Sequence, residues 1–293
     1  MQILGIDFTS RPTRKKPITC VRAEFDGEVL SLASEDERAC ERWSSFSEFE
    51  VNLARPGPWI AGIDFPFGLS RKFIENIGWP PTWREYVLYA ESLGRAEFRC
   101  TLDDYRQRRA SGDREHQRKT DRLAKSISPQ KLYGVPVALM FFEGAPRLAR
   151  SGVTIPMLQE GDPNRIVVEA YPGVLARSAL GARSYKSDSR KDQTDQHLAH
   201  RRELLATLSG GAAKQWYGFE IIAPETLCND RTGDELDALL AAIQAAWAWR
   251  NRAQNFGVPI DADKLEGWIV DPHLIGTIVS ACRSLNSDSS TTS

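Results

Sequence analysis

The sequence predicts an α/β fold in which a mixed β-sheet is flanked by helices. Two observations indicate this: a β-rich N-terminal meander is followed by apolar segments typical of strands buried on both faces, and helical patterns lie between them. With 293 residues, of which 41% are hydrophobic and 26% charged, the chain can bury a sizeable core. We predict one domain over residues 1–283, with three antiparallel strands followed by two parallel strands, and a disordered tail over 284–293.

Local patterns predict the individual elements. Apolar runs predict strands over 2–7, 18–25, 28–33, 59–65, 165–171 and 218–223. Apolar residues at helical spacing predict helices over 36–54, 82–94, 197–208 and 232–249. The turn signal Asp26-Gly27 joins the second and third strands, and Thr232-x-x-Glu235 has the pattern of a capping box. A largely helical, basic insertion is expected at about 70–160.

Charge and cysteine content exclude several classes of protein. The 38 Lys and Arg residues balance 39 Asp and Glu residues, for a net charge of −1, which argues against a wholly basic coat protein and an acidic disordered chain. The five cysteines contain no C-x-x-C pair, so a zinc knuckle or disulfide framework is disfavoured. Because no signal-peptide pattern or long apolar stretch occurs, we expect a cytoplasmic protein without a membrane partner. P-loop, dinucleotide-binding and G-x-S-x-G motifs are absent from the sequence.

Acidic residues recur where the predicted strands end. Asp7, Asp64 and Glu169 lie at the C-terminal ends of apolar strands, and Asp237 lies in an apolar helix with Asp234 one turn before it. Ligands of open α/β sheets bind at this edge, and clustered carboxylates repel one another unless a cation lies between them. The pattern therefore indicates Mg²⁺ or Mn²⁺, which as a metal pair can act on a phosphodiester. Each acid alone could be a solvated strand end, and Asp234 could simply interact with the helix dipole.

Basic residues accompany the acids. We predict that substrate phosphates contact residues just after Asp7 and after the strand that carries Glu169; these are Thr9, Arg11, Arg14, Lys15 and Lys186. The segment 95–131 holds eleven Lys and Arg against six acids. It is interpreted either as a cover for nucleic acid or as solvated helices with internal ion pairs. Trp79 and Trp83 could stack bases, although core packing is the more common role.

Six short motifs together resemble one known family. They are GIDFTS at 5–10, GIDFPFGL at 62–69, VVEAYPG at 167–173, Tyr185-Lys186, DELDALLAA at 234–242 and EGWIV at 266–270. In order and spacing they are similar to the DUF429 family, predicted nucleases of RNase H-like fold. The resemblance runs over nearly the whole chain and implies an RNase H-like sheet with a helical insertion.

The resemblance also implies roles for single residues. Asp7, Asp64, Glu169 and Asp237 would be catalytic. The metal ligands would be Asp7, Asp64, Asp237 and Asp234. Glu169 would be either a ligand or an outer partner, and Glu266 matches the family with a packing or loop-anchoring role at least as well supported. The expected activity is two-metal hydrolysis of phosphodiester bonds in a nucleic acid or nucleotide, with Mg²⁺ or Mn²⁺ as cofactor.

Two other functions stay open at this stage. One is a phosphotransferase or ATPase of the actin or sugar-kinase type, which also uses a strand-end Asp. The spacing of 57 residues between the two GIDF motifs (5 to 62) is too short for a duplicated domain of that kind. The other is a non-catalytic, nucleic-acid-binding relative on a decayed nuclease scaffold.

Overall fold

The computed structural model describes residues 1–32, 40–187 and 190–275. The predicted disordered tail, 284–293, lies outside these ranges. The strands described are β1 Gln2–Asp7, β2 Ile18–Phe25, β3 Val29–Leu32, β4 Cys40–Trp43, β5 Trp59–Asp64, β6 Val153–Thr154, β7 Asp162–Glu169 and β8 Glu220–Ile222. The helices described are α1 Phe46–Leu53, α2 Arg71–Ile77, α3 Trp83–Ser92, α4 Gly94–Gln107, α5 Lys119–Leu123, α6 Val137–Ser151, α7 Pro172–Leu180, α8 Asp195–Thr207, α9 Ala213–Tyr217 and α10 Asp234–Arg250. Shorter helical turns are Arg190–Asp192, Leu208–Ala212, Glu225–Asn229 and Arg252–Gly257.

These strands form one mixed sheet in the order β6-β7-β5-β1-β2-β3-β8, with β4 paired to β2. The strands β1, β2 and β3 are antiparallel neighbours, whereas β1, β5 and β7 run parallel. The predicted mixed sheet, antiparallel and then parallel, is therefore confirmed. Strands β6 and β8 extend it by parallel pairing at its two edges.

Of the predicted helix over 36–54, residues 36–39 lie outside the described residues, and the prediction is wrong for 40–43. Residues 40–43 form β4, which pairs antiparallel with the Ile18–Val21 half of β2. That half is available because β3 pairs only with the other half of β2. Helix α1 begins after Ser45, whose hydroxyl accepts the Glu48 N–H at 3.3 Å. Ser45-x-x-Glu48 is the capping-box pattern that marks this start.

The start of α10 also differs from the prediction. The helix begins at Asp234, after Gly233, and Thr232 does not cap it. Instead the Asp230 carboxylate accepts hydrogen bonds from the Thr232 hydroxyl at 2.8 Å and from Glu235 N at 3.1 Å. An Asp side chain thus orders the turn that precedes α10.

Two glycines position α10 on the sheet. Gly5 of β1 and Gly62 of β5 are register partners, and a Cβ at either would collide with a backbone carbonyl of α10, that of Ala238 or Ala241. The helix therefore lies directly on the backbone of both strands. The opposite face packs against α1, α3 and α6 in a separate apolar cluster. Because both faces are covered, β1 and β5 are continuous apolar runs.

Candidate active site

The ends of β1 and β5 bring two acids side by side. Asp7 and Asp64 are direct partners in the parallel register, and neighbouring strands lie about 4.8 Å apart. Side chains alternate along a strand, so Asp7 shares a face with Gly5, and Asp64 shares that face with Gly62. Both carboxylates therefore project on the side of the sheet that α10 covers.

The first turns of α10 add two further acids at this edge. Asp237 is 1% exposed, and its two carboxylate oxygens accept the Tyr185 hydroxyl and the Lys186 ammonium group. Asp234, one turn earlier, is partly exposed. We call Asp7, Asp64, Asp234 and Asp237 the carboxylate cluster.

Burial and the charges of neighbouring carboxylates raise the pKa of Asp7, Asp64 and Asp234. Burial is the largest cause of the raised pKa of Asp7, and the charges of Asp237 and Asp234 raise it further. Burial and the charge of Asp237 raise the pKa of Asp64 to about 7. Lys186 opposes both changes. Repulsion among these poorly solvated carboxylates is thus only partly compensated, and an added cation would stabilise them.

The ammonium group of Lys186 contacts the carboxylate cluster at Asp237. Burial opposes the charge of its ammonium group, but Asp237, Tyr185 and Asp7 outweigh that effect and hold the pKa of Lys186 well above its usual range. The side chain is 34% exposed, so it can reach solvent and the cluster from one position. The sequence predicted a phosphate contact for Lys186, whereas the structure places it on Asp237.

The cluster has the donor chemistry of a divalent-cation site, but not its arrangement. Within the described ranges, no three His, Cys, Asp or Glu side chains are placed so that together they could hold a metal ion. Asp237 is already engaged, since Tyr185 and Lys186 bond to both of its oxygens. Carboxylate oxygens are the donors that Mg²⁺ and Mn²⁺ prefer. A divalent cation at this position would have to displace Lys186 from Asp237.

Glu169 is not brought into the carboxylate cluster. Its Oε1 and Oε2 accept hydrogen bonds from the Arg118 guanidinium at 2.6 and 2.9 Å, and Oε2 also accepts Phe67 N at 3.0 Å. Asp121 and the Glu266 carbonyl accept the remaining N–H groups of Arg118, which is 1% exposed. Alternation along β7 turns Glu169 away from α10, because its neighbour Val168 packs on the α10 side.

Arg118 is the residue that sequence reasoning missed. It lies among eleven Lys and Arg residues of the segment 95–131, and no local pattern separates it from those on the surface. Burial opposes the charge of Arg118, but Asp121 and Glu169 outweigh it and hold its pKa well above its usual range. Arg118 therefore links α5 to the end of β7 and to the loop at Glu266.

Glu266 anchors two helices. Its Oε1 accepts the Arg71 N–H at 2.8 Å and its Oε2 accepts the Lys119 N–H at 3.2 Å. Arg71 and Lys119 are the first residues of α2 and α5, so one carboxylate satisfies an orphan amide at each helix start. These contacts fit the loop-anchoring role that the sequence left open for Glu266.

The other predicted substrate-binding residues follow β1, and several basic residues of the insertion are paired. Thr9 is 8% exposed, and Arg11, Arg14 and Lys15 are exposed on the loop after β1. Several arginines of the segment 95–131 form ion pairs within the protein, which are Arg95–Glu143, Arg106–Glu115, Arg108–Asp104 and Arg109–Asp113. This pairing favours solvated helices over a nucleic-acid cover. Trp79 and Trp83 are buried in the core.

Comparison with known proteins gives one match. The profile of the DUF429 family, described as "Protein of unknown function (DUF429)", matches residues 5–262. No curated protein matches the chain significantly, and neither does any solved structure. Among the helices in the described part of the chain, none has the length and hydropathy that a bilayer-spanning helix requires.

Proposed function

This chain belongs to the DUF429 family, and we propose that it is a metal-dependent nuclease or phosphodiesterase. The carboxylate cluster is the observation that carries the proposal. Asp7 and Asp64 end adjacent parallel strands in register, and α10 adds Asp237 on the same face. Burying several like charges in one place costs stability, and perturbed carboxyl groups of this kind concentrate at catalytic sites.

The proposal includes an RNase H-like fold. Its support is the strand order β3-β2-β1-β5-β7, in which an antiparallel meander continues into parallel strands, together with an acidic helix across β1 and β5. The acids end the central strand β1 and its parallel neighbour. This is the arrangement that the sequence motifs imply for the family.

In the proposed reaction Asp7 and Asp64 would hold the cation, together with Asp237 once Lys186 has left it. Bound Mg²⁺ or Mn²⁺ would supply an activated water molecule and neutralise charge on the leaving oxygen. Lys186, once released, lies within reach of the same position and would neutralise a phosphate oxygen. Tyr185 holds Asp237 in orientation through its hydroxyl. Glu169 takes no part, because Arg118 engages both of its oxygens.

The decisive test is Asp7→Asn, with Asp104→Asn as matched control because Asp104 is exposed on α4. We expect the wild type and the control to cleave DNA, RNA or a phosphodiester of a small nucleotide with Mn²⁺. Asp7→Asn should lose at least about 100-fold in rate while remaining folded by circular dichroism. Undiminished cleavage by Asp7→Asn would show that the assignment is wrong.

Melting curves separate the alternatives. Mn²⁺ should raise the Tm of the wild type and have a smaller effect on Asp7→Asn, because binding to the folded state stabilises it. Stabilisation by ATP instead would indicate a phosphotransferase or ATPase. A wild type that Mn²⁺ leaves unchanged would indicate a non-catalytic relative. A cytoplasmic location and a nucleic-acid or nucleotide substrate are parts of the same proposal.

A further inference from the structure

Two clefts meet at Asp64. One has a volume of about 270 Å³ and the other about 360 Å³, and Asp64 and Tyr171 line both. The larger cleft contains Lys186 and Asp237, so it is the side on which the carboxylate cluster lies. The smaller cleft extends in the other direction, under the segment that leads into α6. A phosphodiester held at Asp64 would therefore have a distinct pocket on each side.

The smaller cleft has mainly apolar walls. Ile127, Val135, Val137 and Met140 come from the segment before α6 and from its first turn. Ile127 is 45% exposed and Val135 is 41% exposed, so a ligand would cover apolar surface that now faces solvent. Covering such surface is favourable by about 25 cal/mol per Å². The cleft is smaller than the range of about 300–1,000 Å³ that is usual for small-molecule sites, so it suits one compact group.

One end of this cleft is polar. Asp121, Ser126 and Glu169 lie there beside Arg118. All the N–H groups of Arg118 already have acceptors, so the arginine has none left for a ligand. Asp121 and Glu169 already accept hydrogen bonds from the Arg118 guanidinium, and Ser126 donates its hydroxyl to Asp121 at 3.0 Å. The Ser126 oxygen keeps acceptor capacity at this end. A flat group with an N–H donor at its edge can bond to the Ser126 oxygen, whereas a hydrocarbon chain makes no such bond.

We infer that the smaller cleft binds one unstacked nucleobase of the substrate, whose phosphodiester lies at Asp7 and Asp64. This inference rests on the proposed function and adds the substrate class. A base in a regular duplex stays stacked between its neighbours, so it cannot enter a pocket of this size without being flipped out. The preferred substrate is therefore single-stranded nucleic acid or a strand end, with the chain continuing into the larger cleft beside Lys186.

The test uses binding by Asp7→Asn in Mn²⁺, so that cleavage does not interfere. The probe is a short single-stranded oligonucleotide with one 2-aminopurine, whose fluorescence rises when the base leaves the stack. We expect a saturable rise, and an affinity at least about tenfold above that for the matching duplex. Adding Ile127→Ser and Val135→Ser should weaken binding about tenfold. Adding Ile260→Ser, which removes a fully exposed isoleucine outside the cleft, should change nothing.

An oligonucleotide with one abasic position is the matched probe. If a base occupies the cleft, Asp7→Asn should bind the abasic probe more weakly than the intact probe. The abasic probe should bind to Asp7→Asn and to the Ser variants with equal affinity. Equal binding of duplex and single strand, or of abasic and intact probes, overturns the inference. So does saturable binding of phosphatidylglycerol vesicles that the Ser variants abolish, since it would show an acyl chain in the cleft.

Failure of the two proposals can be distinguished. If wild type cleaves with Mn²⁺ while the Ser variants behave as the parent, only the nucleobase pocket is wrong. If no phosphodiester is cleaved, the proposed function fails whatever the fluorescence shows. A rise that the Ser variants remove would still identify the cleft as a base-binding pocket.

Discussion

Asp64→Asn should stabilise the protein in the absence of divalent cations, and only at neutral or alkaline pH. Asp64 is a partly buried carboxyl group beside Asp7 and Asp237, and burial and the neighbouring charge raise its pKa to about 7. Ionising Asp64 therefore costs free energy in the folded protein. Asparagine keeps the size of the side chain and removes the charge.

The sign and size follow from the two pKa values. An unfolded Asp has a pKa of about 3.9, so between pH 4 and 7 the folded state binds more protons than the unfolded state. The free energy of unfolding therefore falls as the pH rises through this window and levels off above it. About 1.36 kcal/mol for each pH unit between the two values gives an upper limit of about 4 kcal/mol. We expect about 1–3 kcal/mol, because side chains and water relax around the charge.

The assay is urea unfolding in EDTA at pH 4.5 and at pH 8. The difference between Asp64→Asn and wild type should be near zero at pH 4.5 and reach the expected stabilisation at pH 8. Asp26→Asn is the control, because two backbone N–H groups lower the pKa of this exposed carboxyl group. Its substitution should destabilise at pH 8, which is the opposite sign.

A wild type that is as stable as Asp64→Asn at pH 8, or less stable by the same amount at both pH values, would refute the reasoning. In the first case the carboxylates would not be repelling one another. In the second, the gain would come from packing rather than from charge. Repeating the pH 8 measurement with Mn²⁺ should favour the wild type, because in the proposed site the cation binds the folded protein through Asp64.

Three further changes test the fold around the cluster. Gly5→Ala should lower the Tm by an amount equivalent to about 1–3 kcal/mol or more, because the new methyl group collides with the backbone of α10. It should also reduce the rise in Tm caused by Mn²⁺. An unchanged Tm would show that α10 does not lie against Gly5. Arg118→Met should cost about 3–5 kcal/mol in urea unfolding, because Glu169 and Asp121 lose their buried partner; a neutral result would mean that Glu169 is uncharged. Glu266→Ala should cost about 1–2 kcal/mol through two lost helix caps, which a Glu266→Gln variant should partly restore.

Most of the sheet was predictable because strand patterns are local. The six predicted strands correspond to β1, β2, β3, β5, β7 and β8, and the period of apolar residues was enough to find them. The strand β4 was missed because Cys40–Trp43 has no apolar alternation of its own and forms only against the free half of β2. Its pairing is a tertiary effect that overrides local propensity.

The candidate site was likewise predictable in part from local sequence. Gly-x-Asp occurs at the ends of both β1 and β5, and the period of two places each Asp on the face that its Gly leaves open for a helix. The sequence pattern grouped Glu169 with these two acids. The corresponding position before Glu169 is Val167, and its packing on the other face separates Glu169 from them. Nothing local, however, indicated which face α10 would cover.

The sequence by itself determined which residues end the buried strands and which side of each strand they share, because alternation is a property of the backbone. Only the tertiary structure decided which of those acids meet. It placed Asp237 beside Asp7 and Asp64 through the contact of α10 with two glycines, and it gave Lys186 to Asp237 and Arg118 to Glu169. These pairings join residues 51 positions apart in both cases, and long-range neutralisation of buried charge is a property of the packed interior rather than of any local pattern.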